Sequence, residues 1–409
     1  MSAINKYILV IGCFDTKEDV FSHLYASIRS HGEQVITINT GVLGSTKRFP
    51  IDFEADKVAM EGGIDIARLR DERNRGMAME IMGKGAANIV QALTAEGKVK
   101  AAIGMGGSGG THMILSAMTR IPLGIPKLCL TTAAAKDLSR QIGDKDITLM
   151  PSVVDVAGLN SIIIPLIEQA AAALCAMSNV RVSSKAKGKG SVAISMFGNT
   201  TACVDRCTQL LHAEGYEVFP FHANGVGGKT MEALIREGCF NALLDITTTE
   251  LADDLCRGVC SAGPDRMNAA AEMGLPQVIA PGCLDMVNFY HPDTVPKKYK
   301  NRKFYNWSPD VTLMRTDQRE NTILGKQLAE KVNRSSGQAM IILPLKGISQ
   351  IDVKGGPFYD PDADLALFDS IKSYKNKGLQ IIEVDANIND AIFAETLVKN
   401  LLDLIQNKK

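Results

Sequence analysis

The sequence lacks three features that would each narrow its function: a net charge, a long apolar run and cysteines at metal-site spacing. Its 409 residues carry 45 Lys and Arg against 45 Asp and Glu, so the formal net charge at pH 7 is zero. A chain with balanced charge has no overall electrostatic attraction to nucleic acid or to anionic lipid. No segment reaches the roughly 18 consecutive apolar residues of a membrane span. We therefore expect no nucleic-acid partner and no membrane partner.

The nine cysteines are odd in number and scattered through mostly apolar surroundings. Cys203 with Cys207, and Cys256 with Cys260, have a helical spacing, but neither pair has the C-x2-C spacing or the nearby histidine of a zinc site. This pattern is typical of reduced cysteines that fill a core. The apolar run at residues 7–12 is too short for a signal sequence and is followed at once by charged residues. We expect a cytoplasmic protein.

Several nucleotide and hydrolase signatures are also incomplete. Gly104, Gly106 and Gly109 fit G-x-G-x-x-G, but the acidic residue expected about 20 residues later is missing. No lysine follows these glycines, which excludes a Walker A loop at this place. Ser108 lies in no Gly-x-Ser-x-Gly register, so nothing but its location suggests a nucleophile.

What the sequence does contain is a glycine-rich loop directly after a buried strand pattern. The loop consists of Gly106, Gly107, Ser108, Gly109, Gly110 and Thr111, and a helix pattern follows it. Without Cβ atoms the backbone can approach a ligand closely, and the helix end adds partial positive charge. Such a loop suits an anion, most often a phosphate. The alternative is a tight turn that packs the helix on the strand, although a turn needs only one or two glycines.

The chain repeats its own pattern. Three stretches recur in the same order in both halves: residues 14–44 with 198–228, 125–131 with 275–281, and 146–150 with 310–314. Short apolar strand patterns alternate with helix patterns, for example at residues 16–29, 75–96, 364–375 and 391–406. The predicted fold class is α/β, with two Rossmann-like lobes whose parallel sheets are related by internal duplication, and with a ligand cleft between them.

A stretch rich in Ser, Lys and Gly at residues 182–190 has the composition of a solvated linker. It divides the chain into an N-terminal nucleotide-binding lobe at residues 1–184 and a C-terminal lobe at residues 185–409. Apolar patterns at residues 339–344 and 379–384 predict two further strands. The second lobe is therefore expected to carry extra C-terminal strands and helices.

The second lobe has hydroxyl and carboxylate groups where the first lobe has glycines. A predicted strand there ends in Asp245, which is followed by Thr247, Thr248 and Glu250. These groups could hydrogen-bond a sugar, and Asp245 with Glu250 could hold Mg²⁺. The alternative is that they cap the helix that follows.

Two other loops of the second lobe carry charged candidates. Arg266 follows a Gly-Pro turn and could clamp a phosphate or a carboxylate, or could pair with Asp265 at the surface. Asp285 follows another predicted strand. The carboxyl ends of parallel strands are where open α/β sheets bind ligands, so both residues are candidates for catalysis.

A further loop of the second lobe resembles the end of a Walker A motif. Gly227 and Gly228 precede Lys229, but Ala223 stands where the first glycine of that motif belongs. Backbone N–H groups with Lys229 as a point charge would still suit an anion. His222 is a candidate acid or base, or else a structural residue whose ring is satisfied by the fold.

Six motifs taken together resemble one known family. They lie at residues 12–17, 104–111, 155–160, 222–228, 244–250 and 262–266. In this order they resemble the ATP-binding family to which the N-terminal domain of the tomato mosaic virus resistance protein belongs. The likeness covers essentially the whole chain.

The resemblance implies a pair of Rossmann-like lobes, self-association as a homodimer, and ATP with Mg²⁺ bound in the first lobe. Asp15 or Asp155 would help to hold the Mg²⁺. The matching nucleotide-binding positions are Asp15, Thr16, Gly106, Gly107, Ser108, Gly109, Gly110, Thr111, Thr131, Thr132 and Asp155.

The sequence therefore predicts an ATP-binding protein, with an ATP- and Mg²⁺-dependent enzyme of sugar-acid or phosphorylated-metabolite metabolism as the leading hypothesis. Phosphoryl transfer or hydrolysis would fit two lobes that close over their substrates. The catalytic candidates are His222, Glu250, Arg266 and Asp285, and the substrate-binding candidates are Gly227, Gly228, Lys229, Asp245, Thr247 and Thr248. Two alternatives stay open: a non-catalytic module regulated by nucleotide, and a nucleotide-independent enzyme that acts on a sugar phosphate or a carboxylate.

Overall fold

The computed structural model describes residues 5–180, 188–335 and 338–407. The chain divides into two compact units, Met1–Ser183 and Ser184–Lys409. The boundary predicted after residue 184 and most of the linker predicted at residues 182–190 lie outside the described residues. Within the described part, every helix is too short or too polar to span a bilayer.

The first unit is built on a parallel five-stranded sheet with the order β2-β1-β3-β4-β5. Its strands are β1 (Tyr7–Gly12), β2 (Val35–Asn39), β3 (Val99–Gly106), β4 (Lys127–Thr131) and β5 (Ile147–Pro151). The central strands β1, β3 and β4 are almost continuously buried, as expected for a parallel sheet covered on both faces.

Helices cover both faces of this sheet. They are α1 (Glu18–Ser30), α2 (Ala55–Gly62), α3 (Ile66–Glu72), α4 (Arg75–Ala95), α5 (Ser108–Met118), α6 (Ser139–Ile142) and α7 (Ile163–Ser178). Ile8 and Val10 of β1 pack in one core with α1 and α7, whereas Leu9 and Ile11 pack in the other core with α2, α4 and α5. The alternation follows from the two-residue side-chain period of a strand.

The second unit has a parallel six-stranded sheet and a small antiparallel sheet. Its strands are β6 (Gly190–Met196), β7 (Tyr216–His222), β8 (Ala242–Thr247), β9 (Gln277–Gly282), β10 (Met286–Phe289), β11 (Phe304–Ser308), β12 (Val311–Arg315), β13 (Ala339–Pro344) and β14 (Gln380–Val384). The parallel sheet has the order β14-β13-β9-β8-β6-β7, and the antiparallel sheet has the order β10-β12-β11.

Helices again cover both faces of the parallel sheet. They are α8 (Thr201–Ala213), α9 (Val226–Arg236), α10 (Glu250–Cys256), α11 (Ala269–Glu272), α12 (Gln318–Val332), α13 (Pro361–Tyr374) and α14 (Ala391–Gln406). α8 and α14 cover one face, and the other helices of this unit pack on the opposite face. Cys203 and Cys207 are buried under α14, as the sequence predicts for core cysteines.

The predicted α/β class with two Rossmann-like units is confirmed. The two parallel sheets share their order over four strands: β2-β1-β3-β4 in the first unit corresponds to β7-β6-β8-β9 in the second. The predicted match of residues 146–150 with 310–314 is wrong at the level of topology, because β5 is a parallel strand and β12 is the centre of the antiparallel sheet. β13 takes the fifth position instead. A short apolar pattern encodes a strand but not the strand it pairs with.

Candidate functional site

The glycine loop of the first unit opens α5 and leaves space in front of it. Gly107 has an extended backbone and precedes the first helical residue, Ser108. A Cβ at Gly107 would lie 3.9 Å from both Asp155 Oδ1 and Thr132 Oγ1, and no described heavy atom lies within 4 Å of a Cβ at Gly110. The N–H groups of a first helical turn have no partner within the helix. This turn is therefore accessible to an anion.

Other glycines of the same run are needed for packing. A Cβ at Gly104 would lie 2.6 Å from the carbonyl oxygen of Ile11, and a Cβ at Gly109 would lie 2.6 Å from Met79 Sδ. A Cβ at Gly106 would lie 3.2 Å from the Cα of Gly110, which is also a tight contact. The two interpretations of the loop therefore apply to different glycines, and Gly107 and Gly110 are the two that face open space.

Two of the threonines predicted to bind nucleotide hold the loop in shape. The Thr111 hydroxyl donates to the carbonyl of Gly107 at 2.9 Å and lies 2.6 Å from Thr131 Oγ1. Thr131 Oγ1 also accepts the N–H of Ala133 at 2.9 Å. Thr111 and Thr131 are each 1% exposed, whereas Thr132 is exposed next to Gly107. Of these three threonines, Thr132 is the one that is accessible to a ligand.

Asp15 connects the loop after β1 with the loop after β2. Its Oδ1 accepts the N–H of Thr16 at 2.7 Å, and its Oδ2 accepts the N–H of Leu43 at 2.8 Å. A Cβ at Gly41 would overlap this carboxylate, so the glycine permits the close approach. Each carboxylate oxygen retains a lone pair for a further partner.

The two predicted metal ligands do not by themselves form a complete metal centre. Among the described residues, no three or more Asp, Glu, His or Cys side chains are arranged to hold a metal ion. Asp155 is exposed on the loop after β5 and Asp15 is half-buried. Mg²⁺ commonly binds through one or two carboxylates together with substrate phosphates and water. Either aspartate therefore fits Mg²⁺ that arrives with a nucleotide.

A cavity of about 590 Å³ lies at the carboxyl ends of β1 and β2 and at the start of α4. Its apolar wall includes Val42, Leu43, Leu69, Met79 and Met113, and its cationic wall is formed by Arg70, Arg73 and Arg75. The cavity adjoins the glycine loop, since Arg75 Nη2 lies 3.6 Å from the position of a Cβ at Gly109.

Sequence reasoning did not assign these arginines. Arg70 Nε donates to the carbonyl of Val42 at 2.6 Å. Arg73 and Arg75 form no ion pair with any residue that the structure describes. The signal available in the sequence is three arginines around Asn74, whose side chain accepts the N–H of Met77 and caps α4. Arg75 beside the open helix N-terminus and Arg73 in the adjoining cavity are both suited to binding an anion.

In the second unit, Arg266 lies in a buried network of carboxylates. Its Nη1 and Nη2 donate to the two oxygens of Asp245 at 2.6 and 2.7 Å, and its Nε donates to Glu250 at 2.5 Å. Burial lowers the pKa of Arg266, but the charges of Asp245 and Glu250 outweigh burial and raise it well above its usual value. Glu250 also accepts the N–H groups of Gly225 at 2.7 Å and of Gly228 at 3.2 Å. The protein's own carboxylate thus occupies the predicted anion-binding loop.

The hydroxyl groups near this network are also buried. Thr247 Oγ1 lies 2.7 Å from Thr200 Oγ1, and Asp245 accepts the hydroxyl of Ser195 at 2.6 Å. Thr247 and Thr248 are each 0% exposed. Their contacts in the structure hold β6, β8 and the loop after β8 together. A role of Thr247 and Thr248 in substrate binding stays a prediction.

The remaining candidates differ in their exposure. His222 is exposed, with Nδ1 3.2 Å from the carbonyl of Met196, and Lys229 is exposed at the start of α9. Gly227 is half-buried, and its N–H donates to Asn224 at 3.0 Å. Asp285 is 0% exposed, and burial raises its pKa to about 7. Of the catalytic candidates, His222 is the one with an accessible functional group.

Two family models match the chain, one in each unit. The chain matches the models of the N-terminal domain, at residues 6–183, and of the C-terminal domain, at residues 189–405, of the uncharacterised protein family UPF0261. A UPF0261 protein of Clostridium tetani is 42% identical over 404 residues, covering 98% of this chain and 100% of the relative. A UPF0261 protein of Rhizobium meliloti is 37% identical and covers 98% of this chain and 99% of the relative.

A longer relative comes from a plant. The ToMV resistance protein Tm-1(GCR237) of Solanum lycopersicum is 35% identical over 420 residues, which cover 97% of this chain and 55% of the tomato protein. The resemblance inferred from the six motifs is thereby confirmed for the family, while ATP binding stays a prediction. The chain belongs to the UPF0261 family.

Proposed function

We propose that the first unit binds ATP with Mg²⁺ and that the phosphates lie on the first turn of α5. The observation that carries this proposal is the open space in front of Gly107 and Gly110, with Arg75 beside the same loop at Gly109. Arg73 lines the adjoining cavity, and neither arginine has a carboxylate partner among the described residues. N–H groups at a helix N-terminus and guanidinium groups both favour a polyphosphate.

The neighbouring cavity would take the ribose and the base. Its volume of about 590 Å³ is typical of small-molecule sites, which span about 300–1,000 Å³. Leu43, Leu69 and Met79 offer apolar surface for a planar ring. Asp15 or Asp155 would complete the Mg²⁺ site together with phosphate oxygens, and Thr132 would donate to a phosphate.

The reaction we propose is phosphoryl transfer or hydrolysis in small-molecule metabolism, with His222 and Lys229 as the accessible polar groups of the second unit. Glu250 and Arg266 would act by holding the loop between β7 and α9. The homodimer and the cytoplasmic location belong to the same proposal. A non-catalytic module would bind nucleotide without turnover, and a nucleotide-independent enzyme would prefer a sugar phosphate at the same loop.

Titration calorimetry with ATP and Mg²⁺ tests the proposal. Gly110→Asp places a carboxylate in the open space, where it repels phosphate, so we expect no detectable binding. The variant should still fold, because an acidic residue near a helix N-terminus is favourable by about 0.3–1 kcal/mol. Gly378→Asp is the matched control, because Gly378 is exposed and no described heavy atom would lie within 4 Å of its Cβ. Unchanged affinity in Gly110→Asp would refute the phosphate site.

A thermal-shift comparison separates the alternatives. Stabilisation of the wild type by ATP and Mg²⁺ but not by sugar phosphates supports the nucleotide site, since a ligand stabilises the state that binds it. Stabilisation by sugar phosphates alone, lost in Gly110→Asp, supports the nucleotide-independent enzyme.

A further inference from the structure

The second unit contains a cavity of about 820 Å³ that none of the predicted site residues lines. It lies beyond the carboxyl ends of β13 and β14 and along the start of α13. Open parallel sheets bind small molecules at this edge, and the volume is within the usual range of about 300–1,000 Å³. The place and size both favour a ligand site.

The loop after β13 forms one wall of the cavity and is held in a defined conformation. The side-chain amide of Asn387 lies 3.1 to 3.4 Å from the backbone carbonyl oxygens of Lys346, Gly347, Ser349 and Asp352. Gly347 has a φ of +118°, and a Cβ there would overlap the carbonyl oxygen of Asp352. The wall is therefore formed without a ligand, which reduces the entropy cost of binding.

One side of the cavity is apolar. Pro361, Leu365 and Phe368 follow one another at intervals of four and three residues along α13 and face the cavity together. Leu365 is 54% exposed, and two further apolar lining residues, Leu345 and Tyr359, are 43% and 41% exposed. Exposed apolar side chains gathered around one cavity indicate a ligand with an apolar body.

Acidic groups dominate the charge of the lining. The charged lining residues are Lys346, Lys354, Asp362, Asp364 and Asp390. Lys346 is neutralised by Asp385, with Nζ 2.8 Å from Oδ2. Asp364 is paired with Arg315, which leaves Lys354 as one cation against the carboxyl groups of Asp362 and Asp390. This balance favours a cationic ligand over an anionic one.

Asp364 joins the cavity to a buried cluster with excess negative charge. Its Oδ1 accepts from Arg315 Nη2 at 2.6 Å, and the same nitrogen lies 3.9 Å from Asp352. Asp352 and Asp285 each keep one carboxylate oxygen without a hydrogen-bond partner among the described residues. Burial, with the charge of Asp352, raises the pKa of Asp364 to about 8. Asp364 therefore mainly holds a proton at neutral pH, and an ammonium group in the cavity would take the place of that proton.

We propose that this cavity binds an organic amine, with its ammonium group at Asp364 and its apolar body against Pro361, Leu365 and Phe368. A bare metal ion fits less well, because the described ranges contain no group of three or more acidic, His or Cys side chains arranged to hold one. The inference concerns the second unit alone and does not depend on ATP binding by the first.

The test uses the full-length protein and two probes of similar shape and opposite charge, 2-phenylethylamine and 3-phenylpropionate, in titration calorimetry. We expect the amine to bind and the carboxylate not to bind. Leu365→Lys adds a cation to the apolar wall and should weaken amine binding by about tenfold or more. The same substitution at Leu123, which is exposed in the first unit, should leave binding unchanged.

Asp364→Asn tests the carboxyl group directly and should abolish amine binding. If that variant does not fold, the Leu365→Lys result still decides, because Leu365 is exposed. Amine binding at neutral pH should also release a proton from Asp364, seen as heat that changes with the ionisation enthalpy of the buffer. Binding of the carboxylate instead, binding that Leu365→Lys does not weaken, or binding of neither probe would overturn the proposal.

Discussion

Arg73 and Arg75 show how a side chain's role depends on residues far away in sequence. Acidic residues lie between the arginines at the end of α3, so the segment has the composition of a solvated surface. Met79 packs against Gly109, and this contact between α4 and α5 brings Arg75 to the glycine loop. The glycine loop itself was predictable, because its composition is local, whereas its cationic neighbours depend on tertiary packing.

We expect Arg75→Ala to weaken ATP binding by about tenfold to a hundredfold, the range of one charge-assisted hydrogen bond. The unfolding temperature should not change, because Arg75 is exposed and has no ion-pair partner among the described residues. Titration calorimetry measures the affinity. Arg68→Ala is the control, since the ion pair of Arg68 with Glu72 lies on exposed side chains of α3. Equal affinities of the two variants would exclude Arg75 from the site.

Arg266→Leu is expected to lower the free energy of unfolding by about 3–5 kcal/mol, because it leaves Asp245 and Glu250 buried without their cation. Urea denaturation measures the change. Arg236→Leu removes an exposed pair with Glu272 and should cost less than about 1 kcal/mol. A stable Arg266→Leu protein that fails only in turnover would instead assign Arg266 to the substrate.

Asp253 makes stability depend on pH. Burial raises its pKa from 3.8 to about 7 in the folded protein, so the folded state binds this proton more tightly than the unfolded state. The bound proton contributes fully to the free energy of unfolding below a pH of about 4, and this contribution is lost as the pH rises through about 7. Between pH 5 and pH 8 the unfolding free energy of the wild type should decrease. In Asp253→Asn, which lacks the titrating carboxyl group, we expect this decrease to be smaller by about 2 kcal/mol.

Asn is a suitable replacement because Asp253 accepts hydrogen bonds from the N–H groups of Cys260 and Asn288, and from the Asn288 side chain. The amide oxygen of Asn288 has no partner among the described residues, and it accepts a bond from the new amide once the Asn288 side-chain amide flips by 180°. Asp254→Asn, one residue along and exposed, is the control. Identical pH profiles of wild type and Asp253→Asn would contradict the assignment.

At the scale of elements, sequence patterns located helices well and their first residues less well. α14 covers the predicted residues 391–406, and α4 ends one residue before the predicted end at residue 96. α1 begins at Glu18 and not at Thr16, because Asp15 bonds two loop N–H groups and Lys17 Nζ bonds the carbonyl of Val156. The contacts with Leu43 and Val156 are long-range, so the helical periodicity of α1 does not contain them.

The crossing of α2 and α4 depends on glycine. A Cβ at Gly85 would overlap the carbonyl oxygen of Val58, so Gly85→Ala should cost about 1–3 kcal/mol by forcing the helices apart. In the same helix, a Cβ at Gly76 would lie 3.5 Å from Asn74 Oδ1, which is an ordinary contact distance. Gly76→Ala should therefore stabilise α4 by up to about 1 kcal/mol. Thermal denaturation compares the two variants. A gain in stability from Gly85→Ala would refute the close approach.

For the whole molecule, the prediction is that ATP with Mg²⁺ protects the first unit at specific places. Hydrogen exchange of the full-length protein should slow at residues 13–17, 41–43, 70–79 and 106–113, because these segments line the cavity and the open turn. The cavity at α13 should keep its exchange rates, which serves as the internal control. Protection centred on residues 345–368 would place the nucleotide in the second unit.

The α/β class, the two Rossmann-like units, the family and the glycine loop were predictable without a structure, because strand and helix periodicity and glycine content are local properties of the chain. Tertiary structure decided which polar groups have partners. Glu250 fills the loop that resembled an anion site, and β13 takes the sheet position assigned to residues 310–314. Arg75 is left without a carboxylate partner in the described residues. Charge pairing and strand neighbours depend on contacts between distant residues, which a local pattern does not encode.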